Sequence, residues 1–339
     1  MDQTNDIRFG LIGLGHVACH QMSALESVKG VGLSAACDID SARAALVGDT
    51  VPFFDNLEAF LTSGLFDAVL VSVPVRSHAQ VSARVLDAGF HVVLEKPLTY
   101  DLAALDELIA AASANELMLL SALHAAYGRE VEWFVEKCSQ DAFSELGRLI
   151  GFSSRFYDPY CNLEGLTPGA RSLEGSWFDS SINALSVIGR IMETEVLKLD
   201  YSALTIVEGM APKEIQGMAE FSFSLADGVG HGSIDTNWTL GLNSKITRLF
   251  YEHGAEIVLQ HSTETVYLKM PGEQMRVLAS LFDGIDRLTA HYLGVYRDVA
   301  LMLHSKVGNI DHARALHALA FAAYDPPNPI ENISPEKVA

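Results

Sequence analysis

The sequence predicts two successive domains, an α/β domain built on a parallel sheet and an α+β domain with a large, mostly antiparallel sheet. The chain has 339 residues, which is too long for one ordinary hydrophobic core. In its first third, apolar strand patterns alternate with helical patterns, as in parallel βα sheets. Later strands follow one another through short turns, which is typical of antiparallel pairing. We place the domains at 1–123 and 124–325, followed by a proline-rich tail at 326–339.

The elements of the first domain are predicted from apolar spacing and from their end signals. The run 66–73 (FDAVLVSV) is almost continuously apolar, which indicates a strand buried on both faces of a sheet. Gly89 is a suitable C-cap for one helix, and Asp101 is a suitable N-cap for the next. The predicted strands cover 7–12, 31–37, 66–73, 90–94 and 117–122, and the predicted helices cover 16–27, 77–88 and 101–114.

The second domain is predicted to combine a sheet with flanking helices. Glycine turns at 227–228 and 253–254 separate neighbouring strands. The predicted strands cover 149–157, 195–207, 214–225, 229–240, 246–252 and 255–259, and the predicted helices cover 130–138, 182–192, 295–304 and 311–324. Segregated strands and helices of this kind indicate an α+β domain.

The composition excludes several classes of function. The formal net charge is −20 and the 23 Lys and Arg residues are scattered, so we expect no nucleic-acid binding. No apolar run reaches the length of a membrane span, and the N-terminus lacks a basic targeting pattern. The four cysteines have no CxxC spacing and stand at 19, 37, 138 and 161. We therefore expect a cytoplasmic protein without disulfides or membrane attachment.

A glycine-rich turn after the first strand has the GxGxxA pattern of dinucleotide sites, which is specific only in this strand–turn–helix context. Gly13 allows the tight turn, and Gly15 lets the backbone approach a pyrophosphate. His16 and Val17 complete the turn and are expected to contact the cofactor with Gly13 and Gly15, and Ala18 permits close packing between helix and strand. The amides at the helix N-terminus would bind the phosphates. A purely structural turn is the alternative.

Asp38 follows the second predicted strand, about 25 residues after the first glycine of the turn. Its carboxylate would accept hydrogen bonds from the adenosine ribose and would repel a 2′-phosphate, so we expect NAD, with NADP less favoured. Arg43 lies nearby, is also expected to contact the cofactor, and weakens that preference. His16 and His20 are one helical turn apart with Cys19 between them, which mimics half of a metal site, but no third ligand is evident and we expect no metal.

Two further motifs follow predicted strands, at the sheet edge where parallel α/β domains bind ligands. One is the segment 73–78 (VPVRSH), and the other is 94–97 (LEKP). A lysine partly desolvated by cofactor and substrate can donate a hydrogen bond to a developing oxyanion or relay a proton. A surface Glu-Lys pair before a helix is the alternative. We expect cofactor contacts from Val73, Pro74, His78, Glu95 and Lys96.

With these motifs the chain resembles the glucose–fructose oxidoreductase/inositol dehydrogenase (Gfo/Idh/MocA) family. The resemblance rests on the glycine turn, Asp38, the segments 73–78 and 95–97, and the later order of strands and helices. It implies a Rossmann domain followed by an α+β domain. It also implies that Lys96 reaches the substrate hydroxyl beside the nicotinamide, and that a cis peptide bond precedes Pro97.

The segment 175–186 (GSWFDSSINALS) supplies the second half of the predicted site. Asp179 and Asn183 are four residues apart at the start of a helix, so they project on one face. The helix dipole favours ionised Asp179, a candidate general base. Many family members have His where this chain has Asn183, and this segment instead resembles L-arabinose and D-galactose 1-dehydrogenases, in which both residues contact the sugar. A helix cap and a packing residue are the structural alternatives.

Other residues are candidates for the substrate pocket. His124 ends the last strand pattern of the first domain, and the resemblance aligns it with a sugar-facing histidine, although a core histidine remains an alternative. Aromatic rings suit the apolar face of a sugar, and arginine binds hydroxyls. Arg155, Tyr157 and Trp177 are the candidates of this kind. Sheet packing is the favoured interpretation for Trp238.

These residues predict an NAD(P)-dependent dehydrogenase acting on a CH–OH group of a sugar or polyol. The favoured reaction oxidises the anomeric hydroxyl of an aldose to a lactone, with Lys96 and Asp179 as catalytic residues. One alternative is a related oxidoreductase, namely a keto-sugar reductase or an inositol or dihydrodiol dehydrogenase. The other is a non-catalytic NAD-binding regulator. The resemblance also implies a homodimer or homotetramer formed through the C-terminal sheet.

Overall fold

The computed structural model of the chain describes residues 6–162, 165–167, 169–207 and 214–325. The tail predicted at 326–339 lies outside the described residues. Two sheets of different character follow one another along the chain, and a separate two-stranded hairpin accompanies the second. The division into domains between residues 123 and 124 stays a prediction.

The first sheet is parallel and has six strands in the order β3-β2-β1-β4-β5-β6. Its strands are β1 (Ile7–Ile12), β2 (Val31–Cys37), β3 (Phe53–Phe54), β4 (Ala68–Val71), β5 (His91–Glu95) and β6 (Leu119–Ala122). Its helices are α1 (Ala18–Ser27), α2 (Leu57–Ser63), α3 (His78–Asp87) and α4 (Leu102–Ala114). The strand order reverses between β1 and β4, so a crevice opens at their carboxyl ends. The predicted parallel α/β architecture is confirmed.

The second sheet has eight strands in the order β10-β11-β12-β7-β13-β14-β15-β16. The strands from this half of the chain are β7 (Leu149–Tyr157), β8 (Cys161–Asn162), β9 (Gly165–Leu166), β10 (Lys198–Thr205), β11 (Gln216–Leu225), β12 (Gly228–Asn237), β13 (Ser244–Tyr251), β14 (Glu256–Gln260), β15 (Thr265–Lys269) and β16 (Arg276–Ser280). Neighbouring strands of the large sheet are antiparallel except β7 and β12. The predicted, mostly antiparallel second sheet is therefore confirmed.

Among the described residues, the α-helices in this half of the chain are α5 (Arg129–Ser139), α6 (Ser176–Ile191), α7 (Arg287–Ser305) and α8 (Ile310–Ala322). Helix α6 covers one face of the sheet, which we call the inner face. Ser176 Oγ lies 3.2 Å from Thr236 Oγ1 of β12 there. Helix α7 packs on α1, where Thr289 Oγ1 lies 2.9 Å from His20 Nδ1. The second half of the chain thereby closes over the helix that follows the glycine turn.

Several element boundaries differ from the prediction. Helix α6 begins at Ser176 rather than at 182, and α7 begins at Arg287 rather than at 295. The first turns of α6 contain serines and an aspartate that interrupt the apolar pattern, although these side chains are buried against the sheet. The sequence analysis also missed α2 and the strands β3, β15 and β16, whose runs are short. No helix among the described residues has the length and apolar character of a membrane span.

Candidate active site

The glycine turn connects β1 to α1 and leaves backbone amides open to a ligand. Gly13 has a φ of +93°, and a side chain there would place its Cβ 2.4 Å from the carbonyl oxygen of Ser72. Gly15 is exposed, and a Cβ on it would meet no atom within 4 Å. Val17 precedes α1 without a side-chain cap, and Ala18 is fully buried. A pyrophosphate therefore fits against the open amides at the start of this helix.

Asp38 follows β2, and its carboxylate lies against the glycine turn. Its Oδ2 accepts a hydrogen bond from the Leu14 amide at 2.7 Å, and its Oδ1 accepts one from the Asp40 amide at 2.9 Å. The exposed Arg43 places its Nε 3.5 Å from the Asp40 carboxylate, and His16 is exposed on the turn itself. The acidic group thus stands at the position that recognises an adenosine ribose in dinucleotide folds.

His78 connects the segment after β4 to the segment after β5. Its Nε2 lies 2.8 Å from the Val73 carbonyl oxygen, and its Nδ1 lies 2.9 Å from the Pro97 carbonyl oxygen. Burial lowers the pKa of His78, so the ring is neutral and one nitrogen donates at a time. Val73 is half-buried and Pro74 is exposed at the strand end. The buried His78 ring therefore positions these two loops, and its contact with the cofactor stays a prediction.

Glu95 also faces the protein interior. Its Oε1 accepts hydrogen bonds from Gln21 Nε2 at 2.8 Å and from the Tyr292 hydroxyl at 2.6 Å. Its Oε2 accepts one from the Lys96 amide at 3.2 Å. Burial raises the pKa of Glu95, and these donors oppose that effect. Glu95 therefore ties the loop that carries Lys96 to α1 and α7, and its contact with the cofactor stays a prediction.

Lys96 and Asp179 meet as a buried ion pair. Lys96 Nζ lies 2.6 Å from Asp179 Oδ1 and 3.2 Å from the Asp179 carbonyl oxygen. Their side chains are 11% and 8% exposed, so solvent screens the pair weakly. The peptide bond before Pro97 is cis, as the resemblance implied. Gly175 is the N-cap of α6, so Asp179 is not the cap, and it lies in the first turn, where the helix dipole stabilises an anion. A proton donor and an acceptor thus meet where the edge of the first sheet faces α6.

Asn183 and His124 flank this pair. Asn183 is one helical turn beyond Asp179 in α6 and is 8% exposed. His124 Nδ1 lies 3.3 Å from His291 Nδ1. Burial lowers the pKa of His124 far below its usual value, and the positive charges of nearby Lys96, Arg287 and Lys245 lower it further. A neutral His124 can hold a substrate hydroxyl by hydrogen bonding.

Three other predicted pocket residues do not reach this site. Trp177 is fully buried, and its indole Nε1 donates to the Ala320 carbonyl oxygen at 2.8 Å. Arg155 and Tyr157 alternate along β7 with Phe156, which pairs with the inward-facing Thr236. They consequently lie on the outer face of the sheet, away from α6. There the Tyr157 hydroxyl donates to Asp235 at 2.5 Å, and Arg155 lies over the Tyr157 ring.

A second ion pair, which was not predicted from the sequence, lies near the site. Lys245 of β13 points to the inner face, and its Nζ lies 2.5 Å from Asp158 Oδ1. Burial raises the pKa of Tyr160, and the negative charges of Asp158 and Asp179 raise it further. Tyr160 therefore lies within electrostatic reach of both ion pairs. The sequence could have indicated this pair, because Lys245 is two residues before the buried Thr247 and side chains two apart in a strand point to the same face. A charged residue at such a position needs a buried partner.

Comparison with known proteins supports the description of the first sheet and its glycine turn, which lie in the first third of the chain. Residues 7–123 match the family GFO_IDH_MocA, an oxidoreductase family with an NAD-binding Rossmann fold. Inositol 2-dehydrogenase of Corynebacterium glutamicum (strain R) is 31% identical over 102 residues, which are 29% of this chain and 30% of that protein. The match thus spans under a third of that relative. The N-terminal part of the chain carries the NAD-binding Rossmann fold of this family.

Two longer comparisons cover both halves of the chain. The scyllo-inositol 2-dehydrogenase (NADP(+)) IolU of Bacillus subtilis is 24% identical over 296 residues, which are 84% of this chain and 80% of that protein. The crystal structure of an oxidoreductase from Agrobacterium radiobacter in complex with NAD+, L-tartaric acid and magnesium has a TM-score of 0.78 and 18% identity. It covers 95% of this chain and 96% of that chain. At this identity the structural likeness supports the fold alone.

Proposed function

We propose that this chain, whose N-terminal part carries the NAD-binding fold of the Gfo/Idh/MocA oxidoreductases, is an NAD-dependent dehydrogenase acting on a sugar hydroxyl. The observation that carries the proposal is the 2.6 Å contact between Lys96 Nζ and Asp179 Oδ1. It brings an amine and a carboxylate together at the carboxyl edge of a parallel sheet whose glycine turn has room for a pyrophosphate. The curated relatives are named dehydrogenases, which agrees with this proposal.

In the proposed reaction, the side chains align the alcohol and accept its proton. When bound, NAD supplies the acceptor for the hydride that leaves the sugar carbon. Lys96 donates a hydrogen bond to the reacting oxygen, and the Asp179 carboxylate beside it accepts the proton of the substrate hydroxyl. Asn183 and the neutral His124 hold the neighbouring hydroxyls. Gly13 and Gly15 shape the turn that binds the phosphates, and Asp38 accepts hydrogen bonds from the ribose.

The favoured substrate is an aldose oxidised at its anomeric carbon to a lactone. Asn183, four residues after Asp179, supports this choice, because it reproduces the segment of L-arabinose and D-galactose 1-dehydrogenases that the sequence resembles. An amide cannot titrate, so Asn183 can bind hydroxyls but cannot relay a proton. The acid–base chemistry then rests on Lys96 and Asp179 alone.

Oxidation of a polyol ring hydroxyl is the second candidate, since two of the relatives described above are inositol dehydrogenases. A spectrophotometric screen of pentoses, hexoses and inositols with NAD and NADP separates the two. Turnover of aldoses, with a lactone as product, supports the first proposal, and turnover confined to inositols supports the second. Tight NAD binding without turnover of any of them would refute both and favour a non-catalytic regulator.

We further propose a homodimer or homotetramer formed through the outer face of the second sheet. Val229 and Phe250 lie on this face with 58% and 36% of their surface exposed, and the Tyr157–Asp235 hydrogen bond lies on the same face toward the other end of the strands. Apolar side chains next to polar ones are typical of such interfaces. Sedimentation of the wild-type protein and of Val229→Glu/Phe250→Glu tests this, and equal masses for the two would refute it. The expected cytoplasmic location stays a prediction.

A further inference from the structure

Two histidines from distant parts of the chain meet beside the candidate active site. His124 Nδ1 lies 3.3 Å from Nδ1 of His291, a residue of α7. The ring centroids are 5.6 Å apart and the ring planes differ by 24°. The two nitrogens are thus much closer together than the ring centres, and the rings are nearly parallel. The rings therefore meet edge to edge through these nitrogens, which is the geometry of a hydrogen bond and not of ring stacking.

Direct contacts place His124 beside the loop that carries Lys96. Ala122 of β6 pairs with Glu95 of β5, so His124 and Lys96 follow the carboxyl ends of neighbouring parallel strands. The ring centroid of Tyr292 lies 5.6 Å from that of His124, and its hydroxyl donates to Glu95 at 2.6 Å. Helix α7 therefore contacts both strand ends, and the histidine pair lies at the same edge of the sheet as the amine of Lys96.

The two histidine rings differ in burial. His291 is 2% exposed, and its Nε2 is buried without a hydrogen-bond partner among the described residues. His124 is half-buried, and its Nε2 has no partner in the described part of the chain. Burial lowers the pKa of both histidines far below the usual value, and nearby positive charges lower it further. Each ring is therefore neutral and carries one proton.

One proton lies between the two Nδ1 atoms, and the buried Nε2 of His291 indicates which ring donates it. If His124 were the donor, the proton of His291 would be on Nε2, a buried N–H without an acceptor. Such groups are rare in folded proteins. If His291 is the donor, its Nε2 is bare and leaves only a lone pair unused. The proton of His124 is then on Nε2, which belongs to the less buried ring and is available to a ligand.

We propose that His291 is a positioning residue that donates its Nδ1 proton to His124 and thereby fixes His124 as a hydrogen-bond donor toward the substrate. This inference rests on the proposed dehydrogenase function. It adds the kind of atom that His124 recognises, namely a hydroxyl or ring oxygen that accepts a hydrogen bond. With Nδ1 occupied and Nε2 protonated, His124 has no free lone pair for the hydroxyl proton. Asp179 is then the acceptor of that proton.

The first experiment locates the two protons in the wild-type protein. Nitrogen-15 NMR of the full chain, labelled at histidine and held at neutral pH, distinguishes a protonated ring nitrogen from a bare one. The variants His124→Gln and His291→Gln assign the signals. We expect the proton on Nδ1 in His291 and on Nε2 in His124. A proton on Nδ1 of His124, or a doubly protonated ring, would overturn the inference. The measurement needs no turnover, so it is independent of the dehydrogenase proposal.

The second experiment separates positioning from a purely structural role. His291→Leu removes the donor, so we expect KM for D-galactose or L-arabinose to rise by about 2-fold to 10-fold, the range for one hydrogen bond. The value of kcat should stay within about twofold, because a contact made equally in ground state and transition state acts on binding alone. His291→Gln supplies an amide donor and should return KM toward the wild-type value. His291→Met, which also lacks a donor, replaces the leucine variant if that variant does not fold.

His304→Leu is the matched control, because His304 is exposed on the same helix. It should keep the wild-type KM and the signals of His124 and His291. A wild-type KM in a folded donor-free variant would overturn the inference, and so would a parallel loss of kcat, NAD affinity and thermal stability, which indicates a general structural role. Absence of turnover for every sugar and inositol of the screen, together with the expected proton positions, would refute the dehydrogenase proposal and still confirm the hydrogen bond from His291 to His124.

Discussion

Replacing Lys96 with Met removes the ammonium group and keeps a flexible chain of similar length. The amine lies 2.6 Å from Asp179, so the variant loses both the donor to the reacting oxygen and the partner of the carboxylate. General acid–base catalysis contributes about 10²-fold to 10⁴-fold, which corresponds to about 3–5 kcal/mol of transition-state stabilisation. We therefore expect kcat to fall by that factor. The glycine turn is untouched, so NAD affinity should stay within about threefold, or 0.7 kcal/mol.

The same substitution should also destabilise the fold. Asp179 is 8% exposed and would lose its cation, and breaking a buried pair typically costs about 3–5 kcal/mol. The helix dipole at the first turn of α6 offsets about 1–2 kcal/mol, which leaves a net loss of about 1–4 kcal/mol. The double variant Lys96→Met/Asp179→Asn removes the orphaned charge, so it should recover much of this stability without recovering turnover.

Kinetics from NADH absorbance, calorimetric titration with NAD and thermal unfolding measure these effects together. Lys198→Met is the control, because Lys198 is exposed at the start of β10. It should match wild type in all three measurements. If Lys96→Met turned over within about threefold of wild type, less than 1 kcal/mol of the barrier, the acid–base assignment would be refuted.

Three further predictions follow from other contacts. Asp38→Ser should raise the NADP-to-NAD ratio of kcat/KM by about 10-fold to 100-fold, because a carboxylate repels a 2′-phosphate, and an unchanged ratio would separate Asp38 from the ribose. Burial lowers the pKa of His317 from its usual 6.5 to about 4. The neutral ring therefore contributes fully to stability above pH 6.5, and the free energy of unfolding should fall by up to about 3 kcal/mol as the pH drops from 6.5 to 4. His317→Gln keeps an acceptor for the Leu98 amide, and it should flatten this acid limb of unfolding free energy against pH. Tyr292→Phe removes a 2.6 Å donor from buried Glu95 and should cost about 1–3 kcal/mol in chemical denaturation, whereas a neutral effect would show that this hydrogen bond contributes little.

Most of the first sheet could be predicted because its signals are local. A buried parallel strand is a continuous apolar run, and a glycine turn followed by a helix is fixed within a few residues. The Lys96–Asp179 contact joins residues 83 positions apart, and the sequence suggested it through the family resemblance and not through local pattern. Helix α6 began earlier than predicted because its buried polar residues hide the helical period.

The placements of Arg155 and Tyr157 have one physical cause. Which face of a strand points inward depends on what packs against it, and alternation alone cannot decide between the two faces. Arg155 and Tyr157 were therefore assigned to the pocket although they lie on the outer face. Lys245, which does face inward, was overlooked because lysine is ordinarily an exposed residue.

The most direct test is a crystal structure of the protein with NAD and a substrate that it turns over slowly. The account predicts a sugar carbon about 3–3.5 Å from C4 of the nicotinamide, with its hydroxyl within hydrogen-bond distance of both Lys96 Nζ and Asp179. A nicotinamide ring bound away from this amine and carboxylate, or a sugar whose reacting hydroxyl touches neither, would contradict it.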